Sequence, residues 1–149
     1  MDKLDQQILR ILTENARIHA AEISRQVNLS VSAVIDRIHR LEEHGVITGY
    51  TAMVDHSKLG YGICAWLHVQ LNNPKLANSF AARMQHMPGL LRCDYLTGEF
   101  DFLLQAVTRN TKELDQLHRA VSDMEGVATV RTHVVLNKIE CNGKVIADI

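Results

Sequence analysis

Between positions 30 and 40 the chain places Ser30, Ser32, Asp36, Arg37 and Arg40 among residues that are otherwise mostly apolar or small. Hydroxyl and guanidinium groups hydrogen-bond base edges and phosphates, and Ala33 in their midst permits close approach. The chemistry on offer is non-covalent recognition. Signatures of covalent chemistry are missing: the sequence holds no Gly-rich phosphate loop, no H-E-x-x-H, no G-x-S-x-G and no paired Cys/His nucleophile pattern. An enzyme is not expected.

Recognition by these side chains requires a helix that presents them on one face. Val31, Val34, Ile35, Ile38 and Leu41 recur at the period of a buried helical stripe, which puts Ser32, Ala33, Asp36, His39 and Arg40 on the opposite face and Arg37 on its flank. Ser30 is placed to cap the start of this helix, and Gly45 to stop it. A shorter helix precedes it, with Ile23 and Val27 four apart on one face and Ser24 small enough to let a second helix cross closely. Asn28 ends that helix, being one of the few non-glycine residues that tolerates a left-handed exit, and Leu29 tucks under the turn. Two short helices joined so tightly form a helix-turn-helix. Any helical hairpin in a bundle can carry the same stripe, but Leu4, Ile8, Ile11 and Leu12 predict a further helix before it, and residues 46–50 read as a strand or wing after it. Together these make a compact unit of the winged kind that enters a major groove.

Composition restrains this reading. The 149 residues are 46% hydrophobic with a formal net charge of -1, which suits one or two small domains with real cores. Residues 1–50 hold six Lys/Arg against seven Asp/Glu, so bulk electrostatics does not draw this part to DNA. Phosphate neutralisation supplies much of DNA affinity, so a nearly neutral unit needs several copies to grip. No apolar run approaches a membrane span, and the opening MDKLDQQ is acidic and polar where a signal peptide is basic and then apolar; a cytoplasmic protein with no membrane partner is expected. Cys64, Cys93 and Cys141 are odd in number and far apart, which indicates neither a disulfide framework nor a zinc ribbon. Cys64 and His68 merely share a strand face, so no metal is expected.

The texture changes after Tyr50. Residues 51–61 read as a linker with a hinge at Gly60-Tyr61-Gly62, and residues 62–149 as a second domain. In its first strand Ile63, Ala65, Leu67, Val69 and Leu71 alternate with Cys64, Trp66, His68 and Gln70. A helix over 75–87, strands over 91–96 and 100–107, a helix over 111–124 and a strand over 127–139 complete the βαββαβ order of a ferredoxin-like fold. The fold class is thus α+β. Both helices cover one sheet face, and a second copy of the chain is the economical cover for the other, which carries Trp66.

NLSVSAVIDRIHRLEEHGVITGY in the first part and LTGEFDFLLQAV in the second resemble the Lrp/AsnC family, the leucine-responsive and asparagine-type transcription regulators of bacteria and archaea. The likeness covers essentially the whole chain. Family hallmarks are matched by Leu29-Ser30, by Arg37, Arg40, Leu41 and Glu42 with Gly45 and Ile47, and by the T-G-x-[FY]-D-[FY]-x-L turn at Thr97 to Leu104. The resemblance implies double-stranded DNA as a partner, contacted by Ser30, Ser32, Ala33, Asp36, Arg37 and Arg40. It implies self-assembly into dimers and then octamers or similar rings, and an amino acid rather than a cofactor as the small-molecule effector. The family's effector pocket carries over to Tyr95, Thr97, Gly98, Glu99 and Asp101. Gly98 lets a ligand approach backbone N–H groups that hold a carboxylate, while Asp101 or Glu99 pairs with an ammonium. An amino-acid-sensing regulatory subunit of an enzyme, without DNA binding, is the alternative function. RNA binding by the sheet is disfavoured, since its strands lack the aromatic-basic signature that stacks bases.

Overall fold

In a computed structural model, residues 1–139 are described and divide into two compact units, 1–53 and 54–139. The first is three helices: α1 (Lys3–Glu14), α2 (Ala20–Val27) and α3 (Val31–Glu43). Asp2 and Asp5 form a reciprocal capping box at the start of α1, each backbone N–H donating to the other's carboxylate at 2.9 Å. Asn28 ends α2 in the left-handed region (φ 53°, ψ 46°), and the Ser24 hydroxyl donates to the Leu29 carbonyl at 2.7 Å to fasten the turn. The core joins one stripe from each helix: Ile8 from α1, Ile23 and Val27 from α2, and Val34 from α3, with Leu29 and Ile38 packed against them.

Two expectations change here. Val31 and Ile35 do not share the buried stripe, because only Val34, Ile38 and Leu41 lie on the arc of α3 that meets the other helices. Residues 46–50 form no strand among the described residues; the N–H groups of Val46 and Ile47 both return to the Leu41 carbonyl instead of meeting a neighbouring strand.

The second unit has β1 (Ile63–Leu71), α4 (Ala77–Met84), β2 (Leu90–Tyr95), β3 (Phe102–Thr108), α5 (Thr111–Ser122) and β4 (Val127–Val134). Their antiparallel sheet has the order β2-β3-β1-β4, as a split βαβ arrangement requires. Alternation along β1 sends Ala65, Leu67, Val69 and Leu71 into the core, where they meet Phe80 and Met84 of α4 and Leu114, Leu117 and Val121 of α5. Boundaries differ from the sequence reading where tertiary contacts intervene. The stretch 74–76 is a separate 3-10 turn, α4 ends at Met84, and β4 ends at Val134 rather than residue 139. The linker contains a 3-10 turn, His56–Leu59, capped by the Asp55 side chain. Cys141 and the end of the second domain, 140–149, lie outside the described residues.

Candidate functional site

The first candidate surface is the outward side of α3. Ser30 caps the helix, its Oγ accepting from the Ala33 N–H at 3.2 Å and lying 3.1 Å from the Ser32 Oγ. A step of 100° per residue then gathers Ser32, Asp36, His39 and Arg40 on the exposed side, while Ala33 is half-buried beside them. The first turn of α3 contains no acidic residue, which leaves its free N–H groups available to an anion.

Arg37 stands differently. Its Nη1 donates to Asp2 Oδ2 at 2.7 Å and to Asp5 Oδ1 at 2.6 Å, tying α3 to the start of α1. The N–H of Asp5 and then Arg37 hold the Asp2 carboxyl below the usual carboxylate range. Burial works against the charge of Asp5, but the Asp2 N–H and Arg37 outweigh it and its carboxyl is also lowered. The same two hydrogen bonds raise Arg37 above its ordinary value. Sequence reading counted Asp2 and Asp5 only as charges. The D-x-x-D spacing at a helix start was the available signal. Arg40, by contrast, is exposed and makes no ion pair among the described residues.

The second candidate surface is the turn between β2 and β3. Gly98 has φ +115°, a backbone that other residues rarely adopt, and nothing lies within 4 Å of the position a Cβ would take. Thr97, Gly98, Glu99 and Tyr95 are exposed, and Tyr95 rests its ring 5.0 Å from that of buried Phe102. Asp101 has a different place. Its Oδ2 accepts the Leu71 N–H at 2.7 Å and its own N–H donates to the Val69 carbonyl at 2.9 Å, so the side chain pins the turn to the end of β1 at a break in the β1–β4 register. A carboxylate used in this way is a strut. Asp101→Ala should therefore cost about 1–3 kcal/mol by stranding the Leu71 N–H, whereas Asp101→Asn, which keeps an acceptor, should cost less; urea unfolding of the two variants checks this, and equal midpoints would remove the strut.

Phe100 carries the turn toward the open face of the sheet. His68 on β1 stacks 5.1 Å from the Phe100 ring and 5.1 Å from His133 on β4, and the Arg131 guanidinium lies 5.2 Å over Phe100. Glu99 Oε1 is 3.6 Å from Arg131 Nη1, both side chains being well exposed. Sequence reading missed Arg131, since only strand register places β4 beside this turn. His118 on α5 contacts the Thr132 hydroxyl of β4 through Nδ1 at 2.8 Å.

A concavity of about 520 Å³ lies elsewhere, among Leu9, Leu12, Val46, Tyr50 and Met53 of the first unit; it is mostly apolar and includes no residue of either candidate surface. The Cys93 thiol is pushed up by burial and by Asp94, which works against thiolate chemistry. No cluster of metal-ligating side chains occurs among the described residues, and none of their helices is long and apolar enough to cross a membrane.

Residues 1–48 match the family model for a winged helix-turn-helix DNA-binding unit, and residues 64–145 that for the Lrp/AsnC ligand binding domain. The chain belongs to the Lrp/AsnC family. It is 36% identical to the leucine-responsive regulatory protein of Rhizobium meliloti over 143 residues, covering 94% of this chain and 92% of that one. A transcriptional regulator of Neisseria meningitidis, solved as a complex with L-Met, is 32% identical and superposes with a TM-score of 0.87 over 95% of this chain and 93% of that one. Escherichia coli AsnC, 24% identical and covered to 97% in both chains, shares the fold with a TM-score of 0.88. Membership of Lrp/AsnC makes this chain a helix-turn-helix transcriptional regulator with a ligand-binding domain, and not an enzyme.

Proposed function

We propose that this Lrp/AsnC regulator binds double-stranded DNA through Ser30, Ser32, Ala33, Asp36 and Arg40, and that an amino acid at the β2–β3 turn alters that binding. The exposed outward side of α3 carries the DNA reading. Its hydroxyls and Arg40 face solvent, whereas Arg37 is engaged by Asp2 and Asp5 and is left out of the interface as a strut. For the ligand, Thr97, Gly98, Glu99 and Tyr95 offer exposed backbone and a carboxylate, and Arg131 adds an opposite charge beside Glu99. That exposed pair is weak, so its members are free to turn onto an ammonium and a carboxylate. The L-Met complex of the Neisseria regulator supports an amino acid as the class of effector.

The open sheet face, with Trp66, Cys64 and His68, pairs with a second copy, and further association builds a ring. A multiplied, nearly neutral reading unit gains avidity that a single one lacks. The protein works in the cytoplasm, where its DNA is. A mobility-shift assay on the DNA upstream of its own coding region, with and without a mixture of the twenty amino acids, tests this reading. Retention of DNA that changes with the mixture is expected; amino-acid binding without DNA retention would favour a regulatory subunit instead.

A further inference from the structure

We propose that Val31 and Ile35 read thymine 5-methyl groups in the major groove, which makes them specificity-determining residues of the DNA interface; the proposal rests on the DNA-binding reading above. Both are apolar and one helical turn apart, yet the fold does not bury them. Val31 is 42% and Ile35 39% exposed, while Val34 between them is fully buried. They sit in the N-terminal half of α3, next to Ser32, in the part of the second helix that meets base edges in this motif. Exposing two branched aliphatic side chains forgoes burial that is favourable in water. A surface that supplies apolar groups to this half of the helix would recover it.

DNA offers one such group in the major groove. Among the base edges, which otherwise present hydrogen-bond donors and acceptors, only thymine projects a methyl group there. The neighbours of Val31 and Ile35 suit that contact: the first turn carries no acid to repel phosphates, and the Ser32 hydroxyl already has Ser30 as a partner. Branching at Cβ fixes the χ1 angle of both residues in a helix, so little side-chain freedom is lost on docking. Hydroxyls and Arg40 would then set orientation, with the aliphatic pair favouring A·T pairs at the positions they cover.

The test uses the full chain. Duplexes are selected by it from a random pool, and the recovered sequences are remade with deoxyuridine in place of thymidine, which removes only the methyl group. Thymine is expected at fixed positions, and its replacement should weaken binding about fourfold per contacted methyl, the worth of one buried methylene. Val31→Ser and Ile35→Ser, which remove every methyl group at exposed positions, should each reduce that discrimination, and the double variant should bind the two duplexes equally. Equal affinity of the native chain for both duplexes, or unchanged discrimination in the double variant, would overturn the proposal. So would a change of oligomeric mass in the variants with discrimination intact, which would assign the pair to a protein contact. Enriched sequences without thymine would refute methyl readout and leave DNA binding standing, whereas no enrichment at all would count against both.

Discussion

Replacing Arg40 by alanine is expected to weaken DNA binding and flatten its salt dependence, while replacing Arg37 lowers the thermal midpoint of the first unit. The two guanidinium groups are three residues apart, yet one is exposed and the other lies between two carboxylates. Loss of a phosphate contact should reduce the slope of log affinity against log salt by roughly 0.9 for each neutralised phosphate. Arg37→Ala instead removes the tie between α3 and α1 and leaves Asp5, mostly covered, without its cation. Its acid response should change as well. Asp2 and Asp5 have folded-state pKa values below their ordinary ones, so they contribute stability that is present above the ordinary carboxylate value and lost as pH falls through the lowered ones. Without Arg37 the lowering is smaller, so the thermal midpoint should fall less steeply in acid. Melting curves between pH 7 and pH 3, with anisotropy titrations at several salt concentrations, check both halves. Equal thermal midpoints for native chain and Arg37→Ala, or an unchanged salt slope in Arg40→Ala, would break the assignment.

Gly98→Leu should abolish the amino-acid response and retain both assembly and DNA binding. The reason lies in the backbone. No atom stands within 4 Å of the added Cβ, so crowding within the chain is not the cause; φ +115° is what an L side chain resists, at a cost of order 1–3 kcal/mol that the turn can escape by changing shape. Because Asp101 is itself anchored to β1 through its N–H and carboxylate, the rearrangement should stay within 97–100 and spare the sheet. Calorimetric titration with amino acids beside light scattering reads the two effects separately. Native affinity in this variant would move the effector site away from the turn.

Much of the fold was legible because local rules set it. Asn28 in the left-handed region, Ser30 as a cap and strict alternation along β1 each follow from a residue and its immediate neighbours. What escaped depends on partners distant in sequence. Arg37 looked like an outward cation until α1 brought Asp2 and Asp5 to it. The hold of Asp101 on the end of β1 could be seen only once the fold presented the Leu71 N–H to it. Val31 and Ile35 fitted the helical period, but the arc of α3 that meets the other two helices is narrower than the stripe. Arg131 could be placed beside Glu99 only once β4 was paired with β1.

Coupling between an amino acid at the β2–β3 turn and DNA on α3 is the decisive expectation. Thermodynamic linkage makes it measurable: the factor by which an amino acid changes DNA affinity must equal the factor by which DNA changes amino-acid affinity. The direct measurement is calorimetric titration of the full chain with each of the twenty amino acids, in the presence and absence of its own upstream DNA. An amino acid whose affinity shifts on adding DNA, by the same factor that it shifts DNA binding, is the expected result. Binding that is identical with and without DNA, or no binding by any of the twenty, would contradict it.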